Sequence, residues 1–115
     1  MGAKAFHSKM LSCLEKYQKF LILEKANGTS VSHTAIIHEF INYIYNHHLV
    51  SSIDQITVSM ANSKFYADFQ RRSYENISKE KMKVILRDFF VFIYGKYGIR
   101  NEKLLKNWEN LFNVS

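Results

Sequence analysis

Residues 78–97 read SKEKMKVILRDFFVFIYGKY and contain the clearest helix signal in the chain. Ser78 can cap the backbone amides at the start of a helix. From Met82 onward apolar residues recur at helical spacing, and toward Tyr94 they cover almost the whole circumference of the helix. A helix of that kind has to be covered by protein on several sides. The stretch therefore predicts a long central helix that continues through Tyr97.

Three amphipathic patterns precede this helix. Apolar residues recur every three or four positions over three segments, at about residues 10–25, 31–47 and 58–71. Asn27-Gly28 is expected to end the first helix, because glycine readily adopts the left-handed conformation that ends many helices. Ser30 or Ser32 can then cap the second helix. Residues 49–56 mix β-branched residues with serines and are predicted to form a loop.

Capping residues also mark the later helices. Thr57 or Ser59 can cap the third helix. Gly95 and Gly98 bracket the end of the central helix, and Asn101 can cap a fifth. The chain has no proline, so few positions forbid a helix. Together these signals predict an all-α protein that forms a four- or five-helix orthogonal bundle.

The composition is that of a folded domain. Hydrophobic residues make up 47% of the chain and aromatic residues 15%, which provides enough apolar surface for a packed core. The length of 115 residues suits one core of normal size rather than two. We therefore predict a single helical domain over residues 1–115.

The sequence offers no pattern for a catalytic, metal or cofactor site. The five histidines lack the spacing that zinc enzymes use, and the four glycines form no phosphate-binding loop. The single cysteine, Cys13, is expected to be a small buried residue in a reducing compartment. Lysines interrupt any signal-peptide core, and no stretch approaches the roughly 18 apolar residues of a membrane span. We expect a cytoplasmic protein without catalytic residues, metal or cofactor.

The positive charge is concentrated in one part of the sequence. The formal net charge is +6. Residues 1–70 carry six Lys/Arg against five Asp/Glu, whereas residues 71–106 carry ten against four. A local excess of this size is expected of a surface that neutralises phosphates.

Five residues within this basic segment are the predicted DNA-binding residues. Lys79, Lys83 and Arg87 are spaced i, i+4 and i+8, so they share one stripe of the central helix, opposite part of its apolar face. Arg71-Arg72 ends the preceding helix and could extend that stripe. The alternative is that these cations only solvate an exposed face, and that Arg71-Arg72 favours the helix dipole.

Short motifs between residues 53 and 101 support the DNA-binding hypothesis. In order, they are Ile56-Thr57, a helix with Phe65-Tyr66, Ile77-Ser78, the run LRDFFVFIY at 86–94, and YGIRN at 97–101. Their order and spacing resemble the N-terminal core-binding domain of tyrosine recombinases, the phage-integrase family, which has a SAM-like helical fold. Glu102 departs from the family pattern, which usually has proline there. The catalytic domain, with its arginines, histidines and nucleophilic tyrosine, is not part of this sequence.

The resemblance implies a role in DNA integration or recombination within a mobile element. It implies that the second and fourth helices face double-stranded DNA. The domain would clamp one side of the duplex while a separate catalytic recombinase domain cuts it, so this chain would have no catalytic activity of its own.

The C-terminal segment suggests a different hypothesis, a protein-interaction or regulatory module. A predicted fifth helix places several large apolar residues on one face, namely Leu104, Leu105, Trp108, Leu111 and Phe112. If the bundle does not bury this face, it could anchor the chain in a groove of a protein partner. Packing into the core is the alternative use of the same face.

Overall fold

The computed structural model describes residues 2–24, 27–72 and 76–112, and within them all regular structure is helical. The α-helices are α1 (Gly2–Glu24), α2 (Asn27–His48), α3 (Ser63–Arg72), α4 (Lys79–Tyr97) and α5 (Glu102–Lys106). Short 3₁₀ turns cover Ile53–Gln55, Val58–Met60 and Trp108–Asn110. The all-α prediction is confirmed. None of the described helices combines the length and apolar character that crossing a membrane requires.

The chain divides into two compact units, Met1–Gln55 and Ile56–Ser115. The single domain over residues 1–115 stays a prediction. In the first unit α1 packs against α2. His7, near the start of α1, donates from Nε2 to Asn42 Oδ1 at 2.8 Å and stacks on Tyr45 with ring centroids 4.4 Å apart. Because both partners lie in the last half of α2, the two helices run antiparallel.

The boundaries of α1 and α2 differ from the sequence prediction. α1 begins at Gly2 rather than near residue 10, because its amphipathic face continues backward through the buried side chains of Met10 and Phe6. α2 begins at Asn27, so Gly28 lies inside the second helix rather than ending the first. A glycine within a helix costs only about 1 kcal/mol relative to alanine. The predicted end of the first helix, at residue 25, lies outside the described residues.

The predicted third helix is interrupted. A 3₁₀ turn covers Val58–Met60, and α3 starts only at Ser63. The side-chain oxygen of Asn62 accepts a hydrogen bond from the Phe65 backbone N–H at 2.9 Å and so caps α3. The predicted caps were wrong, because the Thr57 and Ser59 hydroxyls bond to each other at 2.8 Å rather than to helix amides.

The central helix α4 agrees closely with its prediction. Ser78 Oγ accepts from the backbone N–H of Lys81 at 3.2 Å and caps the first turn. At the other end Gly98 has φ 66°, and its backbone N–H donates to carbonyls of the last turn. The core of the second unit forms on the buried residues of α4, which are Met82, Lys83, Ile85, Leu86, Phe89, Phe90 and Ile93.

Two glycines near the end of α4 should respond oppositely to the same substitution. Gly98→Ala places a Cβ in the left-handed region and is expected to lower the free energy of unfolding by about 1–2 kcal/mol. Gly95 is helical, and a Cβ there meets nothing within 4 Å, so Gly95→Ala should raise it by about 0.5–1 kcal/mol. Urea denaturation of both variants checks this. Shifts of the same sign would contradict the assigned end of α4.

After α4 the chain forms a short C-terminal segment, residues 101–112. The predicted cap is confirmed, since Asn101 Oδ1 accepts from the Leu104 backbone N–H at 3.0 Å. Glu102 occupies the first helical position of α5, where proline and acidic residues are both favourable, so the departure from the family pattern leaves the start of this helix intact. Both α5 and the 3₁₀ turn at Trp108–Asn110 pack against α4.

Candidate nucleic-acid interface

The ten Lys/Arg between residues 71 and 106 differ in how far they reach solvent. Seven are exposed: Arg71, Arg72, Lys81, Lys96, Arg100, Lys103 and Lys106. Lys79 and Arg87 are half-buried, and Lys83 is buried. The basic segment therefore presents most of its charge at the surface, but not along the predicted stripe.

The position of Lys83, at the centre of the predicted stripe, differs from the prediction. Its side chain is only 5% exposed, and Nζ lies 3.1 Å from Oε1 of Glu80, which is 79% exposed. Residues three or four apart share a helix side, so Lys83 projects with the buried Leu86. The side chain is almost wholly removed from solvent, and its charge pairs with the exposed Glu80 carboxylate. The expected position of Lys83 opposite the apolar face was wrong.

Arg87 is held by two neighbours. Its Nε and Nη2 donate to Asp88 Oδ1 at 3.1 and 2.9 Å. Its guanidinium carbon lies 4.6 Å from the centre of the Trp108 ring, a cation–π contact. Both contacts are made by half-buried side chains. Arg87 is thus a charge with a fixed orientation rather than a mobile surface cation.

The cations at the end of α3 and the start of α4 form what we call the N-terminal basic group, Arg71, Arg72, Lys79 and Lys81. Arg71 pairs with the Asp68 carboxylate, and Arg72 Nε donates to the Asp68 carbonyl at 3.2 Å. Lys79 Nζ lies 5.6 Å from the centre of the Tyr66 ring. The Tyr66 hydroxyl donates to the Ile77 carbonyl at 2.8 Å, which fixes the ring beside the start of α4.

A second cluster lies at the other end of α4, and the sequence prediction did not select it. We call Lys96, Arg100, Lys103 and Lys106 the C-terminal basic group; all four are exposed. Arg100 Nη2 donates to the Tyr94 hydroxyl at 2.8 Å, and this bond raises the pKa of Arg100. The sequence does contain a signal for this cluster, because residues 96–106 carry four cations and only one acidic residue.

The residues proposed for partner binding are mostly core residues. Leu104, Leu111 and Phe112 are buried in the chain itself, so the exposed face that the interaction hypothesis required does not exist at these positions. Phe112 stacks on Phe65 with ring centroids 5.9 Å apart. Trp108 is half-buried and faces Arg87. The alternative use of this face, packing into the core, is what the structure shows.

No described residues form a group of three or more His, Cys, Asp and Glu that could hold a metal ion. Cys13 is buried as expected, and burial raises the pKa of its thiol, with Lys16 and Lys9 acting in the opposite direction. A raised pKa lowers the thiolate fraction and so the reactivity of the sulfur.

Comparison with known proteins adds no relatives: no family model, curated protein or solved structure matches the chain. The resemblance to tyrosine recombinases therefore rests on the motifs of residues 53–101. Two residues of the closing motif have structural roles here, since Gly98 ends α4 and Asn101 caps α5.

Proposed function

We propose that this chain binds duplex DNA in the manner of the SAM-like core-binding domain of a tyrosine recombinase, without catalysing a reaction itself. In this proposal the exposed cations at both ends of α4 contact the phosphate backbone, and a separate catalytic recombinase domain acts on the DNA. The single observation that carries the proposal is the exposure of seven of the ten cations between residues 71 and 106.

The charge of the two units favours the second unit as the binding surface. Residues 1–55 carry five Lys/Arg and four Asp/Glu, a balance of +1. Residues 56–115 carry eleven Lys/Arg and six Asp/Glu, a balance of +5. A uniformly basic surface would divide the excess between units of similar length, so the imbalance points to a localised site.

The spacing of the two basic groups suits a DNA backbone. Lys81 and Lys96 are 15 residues apart on α4, which corresponds to about 22 Å along the helix and about 60° around it. They therefore project from the same side of α4. A separation of that size spans about six base pairs at 3.4 Å each. Contacts of this kind position a protein on DNA without reading its sequence.

The proposal is tested by measuring DNA affinity at several salt concentrations. Arg71→Gln with Arg72→Gln removes half of the N-terminal basic group, and Lys103→Gln with Lys106→Gln removes half of the C-terminal group. Each lost phosphate contact should reduce the slope of log K against log salt by about 0.9. Each double variant is therefore expected to bind more weakly and to lose up to about two units of slope. Fluorescence anisotropy of a labelled mixed-sequence duplex provides the measurement.

Two controls are needed. One tests whether any loss of positive charge weakens binding, and the other tests whether Lys83, in the predicted stripe, contributes to it. Lys4→Gln with Lys9→Gln removes the same charge from exposed positions on α1 and should leave the slope unchanged. Lys83→Met removes a buried cation and should leave it unchanged as well. Absence of salt-dependent binding by the wild-type chain, or equal losses in all three double variants, would refute the proposal.

A further inference from the structure

Arg87 retains donors that its neighbours do not use. A guanidinium group carries five N–H donors in a rigid plane. Two of them, on Nε and Nη2, point to Asp88 Oδ1. The other three lie on Nη1 and on the outer side of Nη2, and within the described residues they have no hydrogen-bond partner. The side chain is 33% exposed, so part of it is open to solvent.

The two neighbours fix the plane of the guanidinium group from different directions. Asp88 holds one edge, and the Trp108 ring lies against one face, 4.6 Å from the guanidinium carbon. The outer edge with Nη1 and Nη2 is the geometry that binds a phosphate through two parallel hydrogen bonds. A fork whose orientation is already fixed loses less conformational entropy when it binds.

We infer that Arg87 is a phosphate ligand of the DNA-binding surface and that Trp108 is the residue that positions it. This inference rests on the proposed DNA-binding function and adds a phosphate contact partway along α4. Arg87 lies about 12 Å along α4 from Lys79 and about 13 Å from Lys96. It is turned about 80° around the helix from Lys79 and about 180° from Lys96, so its contact is made on a different side of α4 from that of Lys96. Trp108 acts through Arg87 and needs no contact with DNA.

Charge-neutral changes at Trp108 test this role, because they alter its contact with Arg87 and leave the charge of the surface unchanged. Trp108→Leu removes the aromatic face and is expected to weaken duplex binding by about 2- to 10-fold. Trp108→Phe keeps an aromatic face and should restore most of the affinity. Arg87→Lys keeps the charge but loses the planar fork. In that background, Trp108→Leu should change the affinity by less than about twofold, since the two residues act as one unit.

A direct readout is also available. The chain has one tryptophan, so intrinsic fluorescence reports on Trp108 alone. Titration of the wild-type chain with an unlabelled duplex should change the Trp108 emission, with the same midpoint as the anisotropy titration. A stability measurement of each variant shows whether a loss of binding follows from unfolding, which a role in packing alone would produce.

The outcomes distinguish the two proposals. Wild-type binding that is strong and salt-dependent, with Trp108→Leu binding equally well or more tightly, would overturn the role of Trp108 and leave the DNA-binding function standing. Unchanged Trp108 emission at saturating duplex would do the same. A wild-type chain that does not bind duplex DNA would overturn both.

Discussion

Phe112→Ala is expected to lower the free energy of unfolding of the second unit by about 3–5 kcal/mol, the range for removing a fully buried phenylalanine. Phe112 is 0% exposed. Its ring lies 5.9 Å from Phe65 and 6.1 Å from Tyr66, centroid to centroid. Its backbone N–H donates to the Ala61 carbonyl at 2.6 Å. Truncation would remove the ring contacts with Phe65 and Tyr66 of α3 and leave the backbone hydrogen bond to Ala61 in place.

Urea denaturation followed by Trp108 fluorescence measures this effect in the second unit. Phe112→Leu nearly conserves volume and is expected to cost less than about 1.5 kcal/mol. Tyr97→Ala is a control at an aromatic position that is 41% exposed, and it should cost less than about 1 kcal/mol. If Phe112→Ala unfolded at the same urea concentration as Tyr97→Ala, the core position of Phe112 would be wrong.

The features of the fold that could be predicted from sequence are those set by neighbouring residues. Ser78 caps a backbone amide three residues away, and Gly98 ends α4 through its own φ. Interactions over so few residues leave a pattern in the sequence that does not depend on tertiary packing. The start of α2 was wrong because the choice between ending a helix at Gly28 and continuing through it is decided by about 1 kcal/mol.

The candidate site was harder to predict because side-chain burial depends on distant parts of the chain. A row of residues spaced by four rotates about 40° around a helix at each step. Lys79, Lys83 and Arg87 therefore do not follow a straight line, and Lys83 falls among buried residues. The contact of Arg87 with Trp108 joins positions in α4 and in the C-terminal segment that no local pattern relates. The basic region was predictable, but the surface residues within it were not.

Asn101→Ala is expected to lower the free energy of unfolding by about 2–4 kcal/mol, because one buried side chain satisfies two backbone groups. Its Nδ2 donates to the Ile56 carbonyl at 2.7 Å, which ties the start of the second unit to the start of α5. Its Oδ1 accepts from the Leu104 backbone N–H at 3.0 Å. Alanine would leave both backbone groups buried without these partners, and it would remove the cap of a helix only five residues long.

Asn107→Ala is the matched control for this prediction. Asn107 also bonds the backbone of α5, donating from Nδ2 to the Lys103 carbonyl at 2.8 Å, but the bond is exposed and water can replace it. Asn107→Ala should therefore lower the free energy of unfolding by less than about 1 kcal/mol in the same urea titration. Asn101 belongs to the motif that resembles the recombinase family, so the result also bears on why the motif exists. A large loss of stability in Asn101→Ala would mean that its asparagine holds the fold together, whereas a loss of duplex affinity at unchanged stability would place it in the DNA-binding surface.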